Sequence, residues 1–151
     1  MKCLGKCLAL VALMTVALSA QAEQLFMVRS TQPFPEAMNL LQSALTEHGY
    51  TIARVQRVDL GLTGNGFKTD KYRVVFFGND AEIKRLTAKH PELIPYLPLK
   101  IAIFAENDET LLLASSFEHL RPFYNSPALR NRFDGWEKVI RQILEDVRKA
   151  Q

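Results

Sequence analysis

Both cysteines of the chain lie within its first seven residues, inside a segment that has the pattern of a secretory signal peptide. Lys2 and Lys6 give this segment a positive start, and an apolar run from Leu8 to Leu18 follows. Residues 20–22, Ala-Gln-Ala, then place small side chains at the two positions that a signal peptidase recognises. The apolar run is shorter than the roughly 20 residues that span a bilayer as a helix. We therefore expect cleavage after Ala22 rather than a retained anchor.

The expected mature domain, residues 23–151, contains no thiol because Cys3 and Cys7 are removed. Disulfides, cysteine metal sites and thiol catalysis are then excluded, so apolar burial has to stabilise this exported domain, which we expect to be periplasmic or, alternatively, secreted. A single domain of this length is large enough to bury such a core. Of the 19 basic residues, 17 remain after the loss of Lys2 and Lys6, against 16 acidic residues. This balance does not indicate nucleic-acid binding, and no stable membrane insertion is expected after cleavage.

Apolar spacing predicts strands and one helix in the first half of the domain. Residues 24–30 predict the first strand, and helical spacing behind Pro35 predicts a helix. Residues 50–60 predict a second strand, and the glycine-rich residues 61–67 predict a flexible turn. Four consecutive large apolar residues within 71–78 favour a central strand that is buried on both faces.

A Gly-Asn-Asp turn at residues 78–80 raises the question of whether it binds an anion or begins a helix. Asn79 and Glu82 have the spacing of a capping box, in which two side chains satisfy the first N–H groups of a helix. Asp80 and Glu82 also place negative charge in the first turn, where the helix dipole favours it and an external phosphate would be repelled. The turn therefore predicts helix initiation, and Pro91 ends the predicted helix.

The C-terminal part of the chain predicts a hairpin followed by a long helix. Residues 98–106 and 110–116 predict two core strands joined by a tight turn. Apolar residues recur at helical spacing from Trp136 to Val147 and predict a helix. Asp134 and Glu137 have the spacing of a capping box at its start.

The sequence contains few of the patterns that indicate catalysis or metal binding. His48, His90 and His119 lie on separate segments and lack the spacing that brings two imidazoles of one element to a metal ion. No serine lies in the Gly-X-Ser-X-Gly elbow that hydrolases use. We therefore predict no catalytic residues, no metal site and no cofactor.

Residues 116–136 are the segment that packing alone explains least well, because five aromatic side chains are interleaved with basic ones. One interpretation is the rim of a pocket for a small polar or anionic ligand, in which aromatic rings provide surface and cations orient the ligand. Four residues are the predicted ligand-binding candidates: His119, Arg121, Tyr124 and, from a separate proline-rich loop, Tyr96. The alternative is an ordered wrap whose aromatic side chains cover part of the sheet.

Two strings, "YRVVFFGND" at residues 72–80 and "YLPLKIAIFAENDET" at residues 96–110, with a helix between them, carry a family resemblance. Over roughly residues 26–147 the chain resembles the bacterial and archaeal domain-of-unknown-function family 302. Asp80 departs from the pattern, because members often have proline there. The resemblance implies an α+β domain with a curved, mainly antiparallel sheet and helices packed on one face, in the TATA-binding-protein-like fold class. It also implies a homodimer, and it implies no catalytic residues.

These observations favour a non-enzymatic exported module that binds a small ligand or a periplasmic protein partner. The alternative is a small enzyme with a dispersed site around His119, assisted by Asp134 or Tyr124. Such an enzyme requires His119 to lie within hydrogen-bond reach of a carboxylate or hydroxyl group inside a concave pocket. A third class, a purely structural subunit, predicts that residues 116–136 are fully packed.

Overall fold

A computed structural model describes residues 25–124 and 126–150 of the protein. The predicted signal peptide and both cysteines lie outside the described residues. The described strands form one sheet in which every neighbouring pair is antiparallel. They are β1 (Leu25–Ser30), β2 (Thr51–Arg57), β3 (Tyr72–Gly78), β4 (Leu99–Glu106) and β5 (Glu109–Ser115). Their order across the sheet is β1-β5-β4-β3-β2.

Helices follow β1, β2, β3 and β5, and the two long ones cover one side of the sheet. The α-helices of the described part are α1 (Phe34–Glu47), α2 (Val58–Gly64), α3 (Asp80–Lys89) and α4 (Pro127–Lys149). Two 3₁₀ helices, Pro91–Tyr96 and Glu118–Leu120, lie before β4 and after β5. The long helices α1 and α4 contact each other and pack on the sheet. The predicted α+β class with an antiparallel sheet is thereby confirmed.

The two faces of the sheet differ because successive strand residues point in opposite directions. Val75, Ile101 and Leu112 lie on the face covered by α1 and α4 and are fully buried. The opposite face, which we call the open face, carries half-buried and exposed side chains. Its residues include Leu25, Met27, Tyr72, Val74, Phe76, Lys100, Ala102, Phe104, Leu111, Leu113 and Ser115.

The apolar run of β3 does not have two buried faces. Val75 and Phe77 are fully buried, whereas Val74 and Phe76 are half-buried on the open face. The prediction of burial on both faces is therefore wrong, because the two long helices pack against the same side of the sheet. What the run identified correctly is an interior strand, which lies between β2 and β4.

The region after β2 is helical rather than a flexible turn. β2 ends at Arg57, and the next seven residues form α2. Asp59 of α2 pairs with Arg73 of β3, and both side chains are mostly buried. The Thr63 hydroxyl donates to the Asp59 carbonyl at 2.8 Å. This ion pair ties a glycine-rich segment to the sheet, so local glycine content predicted the wrong structure for residues 61–64.

The C-terminal helix begins seven residues before the predicted capping box. α4 starts at Pro127, and proline suits the first turn of a helix because its missing N–H has no partner there. Asp134 is therefore in the helix interior, where its carboxylate accepts a hydrogen bond from Arg121 at 2.7 Å. Glu137 accepts one from the backbone N–H of Phe117 at 2.6 Å. The predicted box at Asp134 is wrong, because both carboxylates bind the preceding segment instead of capping the helix.

The Gly-Asn-Asp turn begins α3, as predicted. The Asn79 side chain accepts a hydrogen bond from the backbone N–H of Glu82 at 3.0 Å. The Glu82 side chain does not complete the box. It is buried against α4, where it pairs with Arg132 and accepts a hydrogen bond from the Trp136 indole N–H at 3.4 Å.

We predict that Glu82→Gln destabilises the protein by roughly 1–3 kcal/mol, because a charge-assisted bond to Arg132 is lost in a mostly buried position. Glutamine serves a capping box as well as glutamate does, so a capping role alone predicts no change. The measurement is the free energy of unfolding in urea. Glu92→Gln, at an exposed carboxylate that lies 3.3 Å from the His90 imidazole, is the control and should change stability by less than about 0.5 kcal/mol, because exposed pairs contribute little.

Candidate functional site

A cleft of about 190 Å³ lies where the Pro91–Tyr96 helix, the start of β4 and the end of β5 meet. Two of the four predicted ligand-binding residues, Tyr96 and His119, line it. The other lining residues are Phe76, Pro95, Leu97, Pro98, Leu99, Lys100, Ser115, Ser116, Phe117, Leu120 and Ile140. The structure thus brings together a proline-rich loop and the segment after β5, which are about twenty residues apart in the sequence.

Tyr96 is half exposed at the edge of the cleft and is held in place by Tyr124. The two rings meet edge to face, with centroids 6.2 Å apart. The Tyr124 hydroxyl donates to the backbone carbonyl of Glu92 at 3.1 Å. Burial, and then the interaction with Tyr96, raises the pKa of the Tyr124 hydroxyl above its ordinary value. Tyr124 therefore supports Tyr96 and does not itself line the cleft.

His119 is exposed and lines the cleft. Within the described part of the chain its imidazole makes no hydrogen bond and no ion pair. The partners that the enzyme alternative required are engaged elsewhere: Asp134 binds Arg121, and the Tyr124 hydroxyl binds a backbone carbonyl. His119 therefore has a free imidazole at a cleft but no acid–base partner among the described residues.

Lys100 and two serines are lining residues that sequence reasoning missed. Lys100 is exposed on the open face, opposite Phe76 in the register. Ser115 is exposed at the end of β5, and Ser116 is buried next to it. The available signal was Lys100 itself, a charged residue in the otherwise apolar strand "PLKIAIFA" whose alternation points it away from the core.

Arg121 lies outside the cleft and is held by carboxylates. It forms hydrogen bonds with Glu118 and Asp134, each at 2.7 Å, and lies 3.4 Å from Glu137. Partial burial lowers the pKa of Arg121, but the bonds and charges of Asp134 and Glu118 outweigh it and hold the pKa above its ordinary value. With three carboxylates around one guanidinium, Arg121 links the Glu118–Leu120 helix to α4 rather than offering charge to a ligand.

Most aromatic side chains of residues 116–136 belong to the core. Phe117 and Phe133 stack with their centroids 5.3 Å apart, and Trp136 packs against both. All three are buried. Phe123 is different, since 80% of it is exposed. The segment is therefore an ordered wrap for three of its aromatics, and its contribution to the cleft comes from His119 and the residues beside it.

The other surface depressions are lined by residues that are less suited to binding a ligand. The one at the start of α3 is lined by Tyr50, Asn79, Arg85 and Arg132, but also by the carboxylate of Glu82. Burial raises the pKa of the Tyr50 hydroxyl, an effect that nearby Arg132 opposes. In residues 25–124 and 126–150, no group of three metal-ligating side chains could hold an ion. No helix in these ranges is long and apolar enough to span a membrane.

Comparison with known proteins identifies the family. The model of the family "Domain of unknown function DUF302" matches residues 26–147. The crystal structure of an uncharacterised conserved DUF302 protein from Bacillus stearothermophilus is similar, with a TM-score of 0.75 and 21% sequence identity. The alignment covers 84% of this chain and 100% of that one. None of the curated proteins matches the chain. The chain belongs to the DUF302 family, in agreement with the resemblance that its strand and hairpin strings carry.

Proposed function

We propose that this domain is an exported, non-enzymatic module that binds a small ligand in the cleft between Tyr96, Lys100 and His119. The observation that carries the proposal is the exposed imidazole of His119, which lines a concave site without a hydrogen-bond partner among the described residues. Pockets that bind small molecules combine apolar walls with a few polar groups that fix orientation. The cleft has this composition, with Leu97 and Phe117 among its apolar walls.

Binding is favoured over catalysis because, among the described residues, no carboxylate or hydroxyl group is hydrogen-bonded to the His119 imidazole. A general base needs its imidazole oriented by, or in contact with, another functional side chain. Asp134 and Tyr124 were the candidates for that role, and both bond to other groups. Of the lining hydroxyls, that of Ser116 accepts from the backbone N–H of Glu118 at 3.4 Å, and in the described part of the chain neither it nor that of Ser115 bonds to His119.

A substitution that fills the cleft but keeps the charge of the cleft unchanged tests the small-ligand proposal. Ser115 is exposed on the cleft wall, so Ser115→Trp places a large ring there with little effect on the core. In native mass spectrometry of protein purified from a periplasmic extract, we expect a bound small molecule on the wild type and none on Ser115→Trp.

Ser43→Trp, at an exposed position on α1, is the matched control and should retain the bound mass. Thermal unfolding with periplasmic metabolites, metals and anions provides the second measurement. A wild type that carries no ligand and shows no shift in unfolding temperature with any of them would contradict the proposal.

A second candidate function is pairing with another copy of the chain through the open face. Leu25 and Met27 on this face are 48% and 54% exposed, and Met27 lies beside Leu113. Exposed apolar side chains that form a contiguous patch are typical of protein interfaces. The face is cationic at one end, where Lys100 and Arg54 both neighbour Phe76. At its other end, Glu106 and Glu109 both pair with Arg29. A second copy turned end for end sets the cationic end of each face against the acidic end of the other.

We expect Met27→Asp to convert a dimer into a monomer, because it places a charge among the apolar side chains of the paired faces, beside Leu113. Sedimentation equilibrium measures the molecular mass, and circular dichroism checks that the variant is folded. Phe123→Asp removes an equally apolar exposed side chain from another surface and should leave the mass unchanged. The proposal fails if the wild type sediments as a monomer at all concentrations.

Export is the remaining part of the proposal and is supported by the sequence of residues 1–22. We expect the intact mass of protein from the periplasmic fraction to correspond to residues 23–151. Ala22→Phe should prevent cleavage, because signal peptidase requires a small side chain at that position. Ala17→Val, inside the apolar run, is the control and should still be processed. A periplasmic protein that retains Cys3 and Cys7 would contradict the prediction.

A further inference from the structure

We infer that the ligand of the cleft is a small organic anion, a carboxylate attached to an apolar body. This inference rests on the proposed function and specifies its ligand class. It draws on the charge of the cleft, the nature of its walls and its size.

The charge of the cleft is positive and is not compensated locally. Its charged and titratable lining residues are Lys100, His119 and Tyr96, and no aspartate or glutamate is among the described residues that line it. Neither Lys100 nor His119 forms an ion pair with a described residue. By contrast, Arg121, which belongs to the same segment as His119, has three carboxylate neighbours. The described part of the cleft therefore has no negative charge of its own, and Lys100 and His119 are both suited to binding a negatively charged group of a ligand.

The hydrogen-bond donors are suited to a carboxylate. Lysine offers three N–H donors and no acceptor, and an imidazole offers an N–H donor in either charge state. The hydroxyl of Ser115, exposed on the same wall, adds one more donor. Bonds in which one partner is charged are shorter and stronger than neutral ones, so these groups favour an ionised ligand over a neutral one.

The walls of the cleft are apolar, which favours an organic anion over an inorganic one. Leu99, Phe117 and Ile140 line it and belong to the core. An inorganic phosphate is hydrated on all sides and gains nothing from such surfaces, whereas an aliphatic chain or aromatic ring removes them from water. Tyr96, whose ring is held edge to face by Tyr124, provides a further flat surface near the opening.

The size of the cleft limits the ligand to a small molecule. Its volume of about 190 Å³ is below the range of roughly 300–1,000 Å³ that is typical of pockets for drug-sized ligands. We therefore expect one carboxylate with a single ring or a short chain rather than a nucleotide or a peptide.

Paired probes test this class by calorimetric titration of the processed protein. Benzoate, phenylacetate and hexanoate are compared with their neutral amides and with inorganic phosphate. We expect at least one carboxylate to bind roughly tenfold more tightly than its amide, with affinity that falls as salt rises because charges near the surface are screened. Lys100→Gln and His119→Gln should each weaken that carboxylate roughly three- to tenfold and leave the amide unchanged. Lys84→Gln, at an exposed position on α3, should change neither.

The other outcomes separate the inference from the proposed function. If carboxylates and amides bind equally, or if the two cleft variants have no effect, the ligand is not an anion but the small-ligand function stands. If phosphate binds tightly and none of the carboxylates binds, the ligand is an anion but not an organic one, and only that part of the inference is overturned. If no probe binds and the wild-type protein also carries no ligand in native mass spectrometry, the proposed function itself fails.

Discussion

The contact between the apolar side of α4 and the covered face of the sheet is the interaction on which the remaining structure depends. Phe133, Ile140 and Ile143 on this helix are almost fully buried, and each such side chain contributes roughly 1.5–3 kcal/mol by leaving water. Because α1 packs against α4 on the same side, the second face of the sheet is left without a long helix. Ile140 also lines the cleft, so the core and the candidate site share one helix.

Much of this fold follows from apolar periodicity, and two of the errors have a common cause. All five strands and the helices α1, α3 and α4 lie where spacing predicted them, although α4 begins earlier. These two errors, at residues 61–64 and at Asp134, arise where an ion pair with a distant residue decides the structure, whereas the error at β3 arises because both long helices pack on one face of the sheet. Arg73 holds Asp59, and Arg121 holds Asp134. A local rule for glycine or for capping contains no information about such partners.

The candidate site could be predicted only in part, since its members come from four separate segments. Sequence reasoning chose residues by type, and of its four candidates only Tyr96 and His119 line the cleft. Arg121 looked equivalent to His119 in composition, but carboxylates from α4 surround it. Glu137 is one of these carboxylates, and the helical pattern had placed it in a cap. Tertiary contacts therefore decide whether a basic side chain is available to bind a ligand or is paired within the protein.

The proposed ligand and the proposed second copy both depend on Lys100. A copy that pairs end for end brings the acidic end of its open face, with Glu106, towards the lysine that would hold a carboxylate. Occupation of the cleft by an anion then neutralises the charge that favours pairing, and pairing supplies a competing carboxylate. If both proposals hold, linkage requires that the bound ligand weaken pairing by the same factor by which pairing weakens ligand binding. On the two proposals together, Lys100 would couple ligand occupancy to assembly, because the same ammonium group faces both the ligand and the second copy.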